Sequence, residues 1–171
     1  MPDIEDSLIK RIVLFNDHEA FGKLIDMHQA DVRGLLFKLT GSDYALTDDL
    51  SQEVFIRVFK HIRKYKGRAK FSTWLYRIVV NMFYDYQKSR KDQLKIRNEN
   101  THQIHESIEN TIDILRALEI LNSKERTAII LNYEKGCTHD EIAKIMRLPV
   151  GTVKSCIRRG KLKLKKYFKY E

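Results

Sequence analysis

Thr152, Lys154, Ser155, Arg158 and Arg159 bring two hydroxyls and three cations together within eight residues near the C-terminus. A guanidinium can pair with the guanine edge in a DNA major groove, and hydroxyls reach bases or phosphates. A second group, Lys66, Arg68, Lys70, Phe71, Trp74, Arg77 and Asn81, mixes cations with aromatic rings and one amide. Aromatic faces stack on unpaired bases while the cations hold phosphates. A third stripe, Asp49, Gln52, Glu53 and Ile56, is acidic with one isoleucine. It makes a poor DNA surface and a suitable protein-docking one, against the plain alternative of a solvated helix face. All three chemistries are recognition rather than bond-making.

Residues that could do bond-making chemistry are sparse. His102, His105 and Glu106 sketch a metal cluster, but they lie in a polar stretch with no second ligand pair. Cys137 next to His139 is as thin. The Asp48-Asp49 pair lacks the further carboxylates of a magnesium site. Gly67 and Gly160 stand alone, so no Gly-rich phosphate loop is present. The sequence therefore predicts no catalytic residue, no metal, no cofactor and no enzyme.

Helices must position the three recognition sets. Thr138-His139-Asp140-Glu141 fits a capping box opening a short helix. Pro149 breaks that helix and suits the first turn of the next, which starts near Gly151. A short helix, a tight turn and a second helix make a helix-turn-helix. At about 100° per residue, Val153, Ile157, Gly160 and Leu164 share the inner face of the second helix. Ser155, Arg158, Arg159 and Lys166 take the outer face, with Thr152 and Lys154 on its flanks. Ser72 is the expected N-cap of a helix running to about Arg90, whose buried face is Leu75, Ile78, Val79, Met82 and Tyr86. Trp74, Arg77, Asn81, Tyr84 and Lys88 form its other stripe, where burial of Trp74 and Tyr84 against a neighbouring helix is the competing reading. Residues 20–39 predict another helix that stops at Gly41, and Ser42 or Asp43 caps the next, which runs to about Tyr65.

Residues 91–110 are polar, with isolated Leu94, Ile96, Ile104 and Ile108. The expected fold is all-α: a helical domain at 1–90, a flexible linker at 91–110, and a helix-turn-helix domain at 111–171. With two prolines and seven glycines in 171 residues, a turn-rich β fold is excluded. Two cysteines make no disulfide framework, which predicts a reducing compartment. No apolar run approaches the ~20 residues of a membrane helix, and the N-terminus does not read as a signal peptide.

The formal net charge is +9, and it is unevenly placed. Residues 1–53 carry net −6, residues 54–84 net +8, residues 85–150 net zero and residues 151–171 net +7. Two basic blocks predict two contacts with a polyanion.

The run DDLSQEVFIRVFKHIRKYKGRAKFSTWLYRIVVNMFYDYQKSRK at 48–91 resembles the second conserved region of bacterial RNA polymerase sigma factors. LNSKERTAIILNYEKGCTHDEIAKIMRLPVGTVKSCIRRGKLKL at 121–164 resembles their fourth region, with EIA and GTVKS its clearest pieces. Both occur in order with a short linker between, as in the small extracytoplasmic-function group. The resemblance implies that Asp48, Asp49, Gln52, Glu53 and Ile56 dock on the β′ clamp helices of core RNA polymerase. It implies that Lys66, Arg68, Lys70, Phe71, Trp74, Arg77 and Asn81 engage and open the minus-ten promoter element. Thr152, Lys154, Ser155, Arg158 and Arg159 would read the minus-thirty-five element, and the same domain would also dock on the β flap. The implied setting is the bacterial cytoplasm, with an anti-sigma factor as a further partner and no membrane insertion by this chain. Two positions depart from the family pattern. Cys156 stands where an Arg is often found, so one DNA contact is expected to be lost. Leu162 replaces a usual basic residue on the outer face, where it suits a protein contact. A stand-alone helix-turn-helix regulator is the alternative, and it would have no need of a polymerase-docking stripe.

Overall fold

The computed structural model describes residues 4–97 and 109–169, and among these every regular element is helical. The order is α1 (Ile4–Phe15), α2 (His18–Leu39), α3 (Tyr44–His61), a 3-10 turn (Ile62–Lys64), α4 (Phe71–Arg97), α5 (Glu109–Glu119), α6 (Ser123–Tyr133), α7 (His139–Met146) and α8 (Val150–Tyr167).

Side-chain caps set most of the boundaries. Asp17 accepts the Ala20 amide at 2.9 Å to open α2, and Asp43 accepts the Leu46 amide at 3.0 Å to open α3. Asn122 with Glu125, and Thr138 with Glu141, form complete capping boxes on α6 and α7. Gly41 ends the α2 segment at φ +74°, a left-handed angle that glycine takes without strain. Ser72 is not a cap. The helix begins at Phe71, two residues before the start that a Ser72 cap implies, because the Lys70 carbonyl accepts the Thr73 and Trp74 amides. That helix also runs seven residues beyond the expected Arg90, to Arg97. Residues 98–108, with the His102, His105 and Glu106 cluster, lie outside the described residues.

In the first domain α1 to α4 bury Leu24, Val32, Leu35, Leu36, Val54, Val58, Leu75 and Val79. Helix α1, which the periodicity reading left unassigned, adds Leu8, Ile9 and Ile12. In the second domain α5 to α8 bury Leu118, Leu131, Ile142, Ile145, Val153 and Ile157.

The two domains pack on each other. α7 lies along α4, and α6 rests on α2. Tyr76, Val80 and Phe83 of α4 are buried although none belongs to its expected core face. A helix packed on two sides has two buried faces, and a single amphipathic stripe reveals only one. Polar bonds fasten the joint: Tyr84 Oη donates to Thr127 Oγ1 at 3.0 Å, and Ser123 Oγ donates to Gln87 Oε1 at 2.8 Å. Lys135 meets Asp31 at 2.8 Å, and Lys38 meets Glu134 at 2.7 Å.

Candidate nucleic-acid interface

The turn before α8 is built by its sequence. Arg147 caps α7 in the left-handed conformation at φ 54°, and its amide bonds the Ala143 carbonyl. Pro149 then turns the chain, and its carbonyl accepts the Thr152 and Val153 amides. Val153, Cys156, Ile157 and Gly160 face inward, which leaves Lys154 and Arg158 exposed and Thr152 and Ser155 half-buried at the outer face. These four side chains thus share one surface. Arg159 is exposed but engaged: its Nε lies 3.3 Å from Glu125 Oε1. Cys156, expected to cost one DNA contact, is a core residue of this domain. It is 1% exposed, inside the domain, and points away from the outer face of α8. Leu162 is exposed on the outer side as expected.

The second set divides. Lys66, Arg68 and Lys70 are exposed on the loop ahead of α4, which Tyr65 ties by donating its hydroxyl to the Ala69 carbonyl at 2.7 Å. Arg77 is exposed, and Trp74 and Asn81 are half-buried on α4. Phe71 is a correction: it is 1% exposed, so it offers no face to a base. Its ring packs 5.5 Å from Trp74, 5.5 Å from Tyr65 and 5.2 Å from His28, so it anchors the helix start under Trp74. Tyr84 leaves the stripe as well, since its hydroxyl is spent on Thr127 and burial pushes its pKa up to about 12.

On α3, Asp49, Gln52, Glu53 and Ile56 are all exposed, Ile56 by 46%. A groove of about 690 Å³ runs between α2 and α3. Phe21, Ile25, Phe55 and Phe59 give it an apolar lining that continues to Ile56, while Asp48 and Gln52 border it. Arg33 of α2 joins them, paired with Asp48 at 2.6 Å. The sequence reading treated α3 alone and missed this half of the surface. Phe21 and Ile25 were legible only as members of the α2 apolar stripe, and it is their half-exposure in the structure that opens them onto the groove.

Cys137 is buried, and burial pushes its thiol up to about 11, as suits a small core residue rather than a nucleophile. No described helix is long and apolar enough to cross a membrane.

Comparison with known proteins fits this division into two helical units. The Sigma-70 region 2 family model matches residues 24–93, and the Sigma-70, region 4 model matches residues 111–164. The ECF RNA polymerase sigma factor SigW of Bacillus subtilis is 31% identical over 183 aligned positions, covering 95% of this chain and 97% of its own length. The ECF RNA polymerase sigma-E factor of Escherichia coli K12 is 30% identical over 176 positions, covering 92% and 91%. The sigma factor RpoE of Bartonella quintana, solved in complex with the anti-sigma factor NepR, has a TM-score of 0.77 at 22% identity, covering 87% of this chain and 96% of that chain. CnrH, solved with the cytosolic domain of CnrY, has a TM-score of 0.74 at 22% identity, with 99% of each chain covered. These two structures share the fold. Paired region 2 and region 4 matches do not favour a stand-alone regulator: the chain belongs to the extracytoplasmic-function group of sigma-70 factors, non-enzymatic proteins that direct promoter-specific initiation by RNA polymerase.

Proposed function

We propose that three surfaces divide the work of initiation. The outer face of α8, with Thr152, Lys154, Ser155 and Arg158, reads the minus-thirty-five element in the major groove. The 66–70 loop and the exposed stripe of α4, with Trp74, Arg77 and Asn81, hold the minus-ten element and its unpaired bases. The α2–α3 groove, with Asp48, Gln52 and Ile56, takes the β′ clamp helices, flanked by Asp49 and Glu53. The second domain also meets the β flap. An anti-sigma factor is a partner of this chain, as one is of the Bartonella RpoE. Its place of action is the cytoplasm, where polymerase and promoter DNA meet.

The observation that carries this reading is the chemical separation of the surfaces. Acidic and apolar groups line α3, while cations and an aromatic ring stand at the start of α4. Basic side chains displace counterions from phosphates, so DNA binding falls steeply with salt. Tethering both DNA contacts through polymerase raises the effective concentration of the second. Strand opening then draws on binding to unpaired bases, with no nucleotide hydrolysis by this chain.

Run-off transcription with core polymerase tests the whole reading: the protein should direct initiation at a defined set of promoters, and none with any genomic template would overturn it. Trp74→Ala should leave closed-complex binding within about 3-fold of wild type, while a lost stacking contact worth about 1–3 kcal/mol weakens opening. A permanganate footprint of the bubble reads that split, and an unchanged footprint removes Trp74 from the opening step.

A further inference from the structure

Helix α8 is tied to α6 by one buried carboxylate. Glu125 is 2% exposed. Its Oε2 accepts a hydrogen bond from Lys163 Nζ at 2.7 Å, and its Oε1 lies 3.3 Å from Arg159 Nε. The Asn122 amide donates to the same Oε2 at 3.3 Å, so the α6 capping box and the α8 ion pairs share one side chain. Arg159 and Lys163 are four residues apart and lie side by side on α8. Between them is Gly160, where a Cβ would stand 2.8 Å from Ile129 Cγ1 and 3.8 Å from Glu125 Cβ. The two helices therefore cross at closest approach beside the carboxylate. Burial opposes the charged form of Glu125. The Lys163 hydrogen bond, the Asn122 amide and the nearby Arg159 outweigh it and hold the carboxyl below its ordinary range. A buried carboxylate stripped of its partners is strongly unfavourable, so this geometry resists rearrangement.

We propose that Arg159 is a positioning residue rather than a base reader: with Lys163 it clamps Glu125, and the clamp sets the roll of α8 that aims Thr152, Lys154, Ser155 and Arg158. Two contacts one turn apart, on separate oxygens of one carboxylate, fix both rotation and sliding of the helix. The inference rests on α8 being the upstream-element reader.

The two roles leave different signatures. A base reader, when removed, relaxes preference at the base pair it touches. A positioning residue, when removed, degrades every position together. The experiment uses the holoenzyme on a promoter selected by wild type from a randomised library, with each upstream-element base pair substituted in turn. Arg158→Ala should lose about 10-fold discrimination at one base pair and keep the rest. Arg159→Ala should instead lower discrimination about 3-fold or more at every position, and Arg159→Lys should restore most of it. Glu125→Gln should reproduce the Arg159→Ala profile, because Gln still completes a capping box but cannot hold two cations. The double variant Arg159→Ala/Glu125→Gln should be little worse than either single.

Relaxed preference at a single base pair for Arg159→Ala, with an unchanged profile for Glu125→Gln, would overturn the proposal. Thermal melting of the free protein supplies a reading that needs no DNA: the two single substitutions should couple, with a double shift smaller than the sum. Additive shifts reject the clamp. Should Glu125→Gln fail to fold, Lys163→Met replaces it, and a uniform loss supports the clamp while no change opposes it. Failure of wild type to initiate anywhere rejects the sigma-factor assignment of α8, and the melting cycle still decides the clamp.

Discussion

Phe71 and Trp74 sit one turn apart in the same aromatic cluster, yet only Trp74 keeps a partly open face. Residue type pointed to both, and burial separates them. Phe71→Ala should cost about 3–5 kcal/mol by opening a cavity under α4, read as a fall in denaturant midpoint, whereas Trp74→Ala should act mainly on strand opening. Arg159 teaches the same lesson: an angle count placed it correctly on the outer side of α8, but no spacing rule shows a carboxylate on another helix. Cys137 carries a further expectation. Its thiol titrates at about 11 in the folded protein, above its ordinary value of 9.0, because burial disfavours the thiolate. The folded state therefore binds its proton more tightly. Its contribution to stability is complete below about pH 9 and is lost as pH rises toward 11. Cys137→Ala should flatten that alkaline fall in a melting-temperature profile, and an unchanged slope would place the titration elsewhere.

Elements were legible wherever a local cap or stripe defined them. The Thr138 capping box, the Asp43 cap and the Pro149 turn all follow from a few adjacent residues. The far end of α4 was not, because it carries no such marker, and the short stripe of Leu8, Ile9 and Ile12 in α1 was passed over. The second buried face of α4 was hidden for a different reason: α4 is packed by α2, α3 and α7, so Tyr76, Val80 and Phe83 are buried outside its first stripe, a tertiary fact that periodicity within one helix does not contain. The α7–α8 turn also keeps a cost in plain view. Arg147 sits at φ 54°, where a side chain bearing Cβ is strained by about 1 kcal/mol relative to glycine. Arg147→Gly should therefore raise the melting temperature by about 2–4 °C, provided that the cation itself is not needed. A fall would mean that the Arg147 side chain stabilises more than its backbone strains.

At the scale of the molecule, the charge pattern and the packing meet at the joint between domains. Asp31 and Lys38, both on α2, pair with Lys135 and Glu134 at the far end of α6. The Lys135 side chain is only 8% exposed and also lies 3.2 Å from Glu134, so without Asp31 the cation falls back on Glu134 with little water to help. The Lys135 hydrogen bond holds Asp31 below its ordinary value of 3.8, ahead of the opposing effect of burial. A depressed carboxylate contributes above that ordinary value and loses its contribution as pH falls through the depressed one. The Asp31–Lys135 pair should therefore contribute fully well above that ordinary value of 3.8 and weaken in acid below it. On the proposal that α4 and α8 take separate promoter elements, the domains should leave each other, since α4 carries α7 of the second domain on one of its faces. Fluorophores placed on α2 and α8 should report a short distance in the free protein and a longer one with core polymerase and promoter. Lys38→Glu sets a second carboxylate against Glu134, and Lys135→Ala removes the other pair. Together they should lengthen the free-protein distance and split melting into two transitions while leaving run-off transcription intact. A single cooperative transition with an unchanged distance would show that Tyr84, Gln87 and the apolar face of α4 hold the joint without those charges.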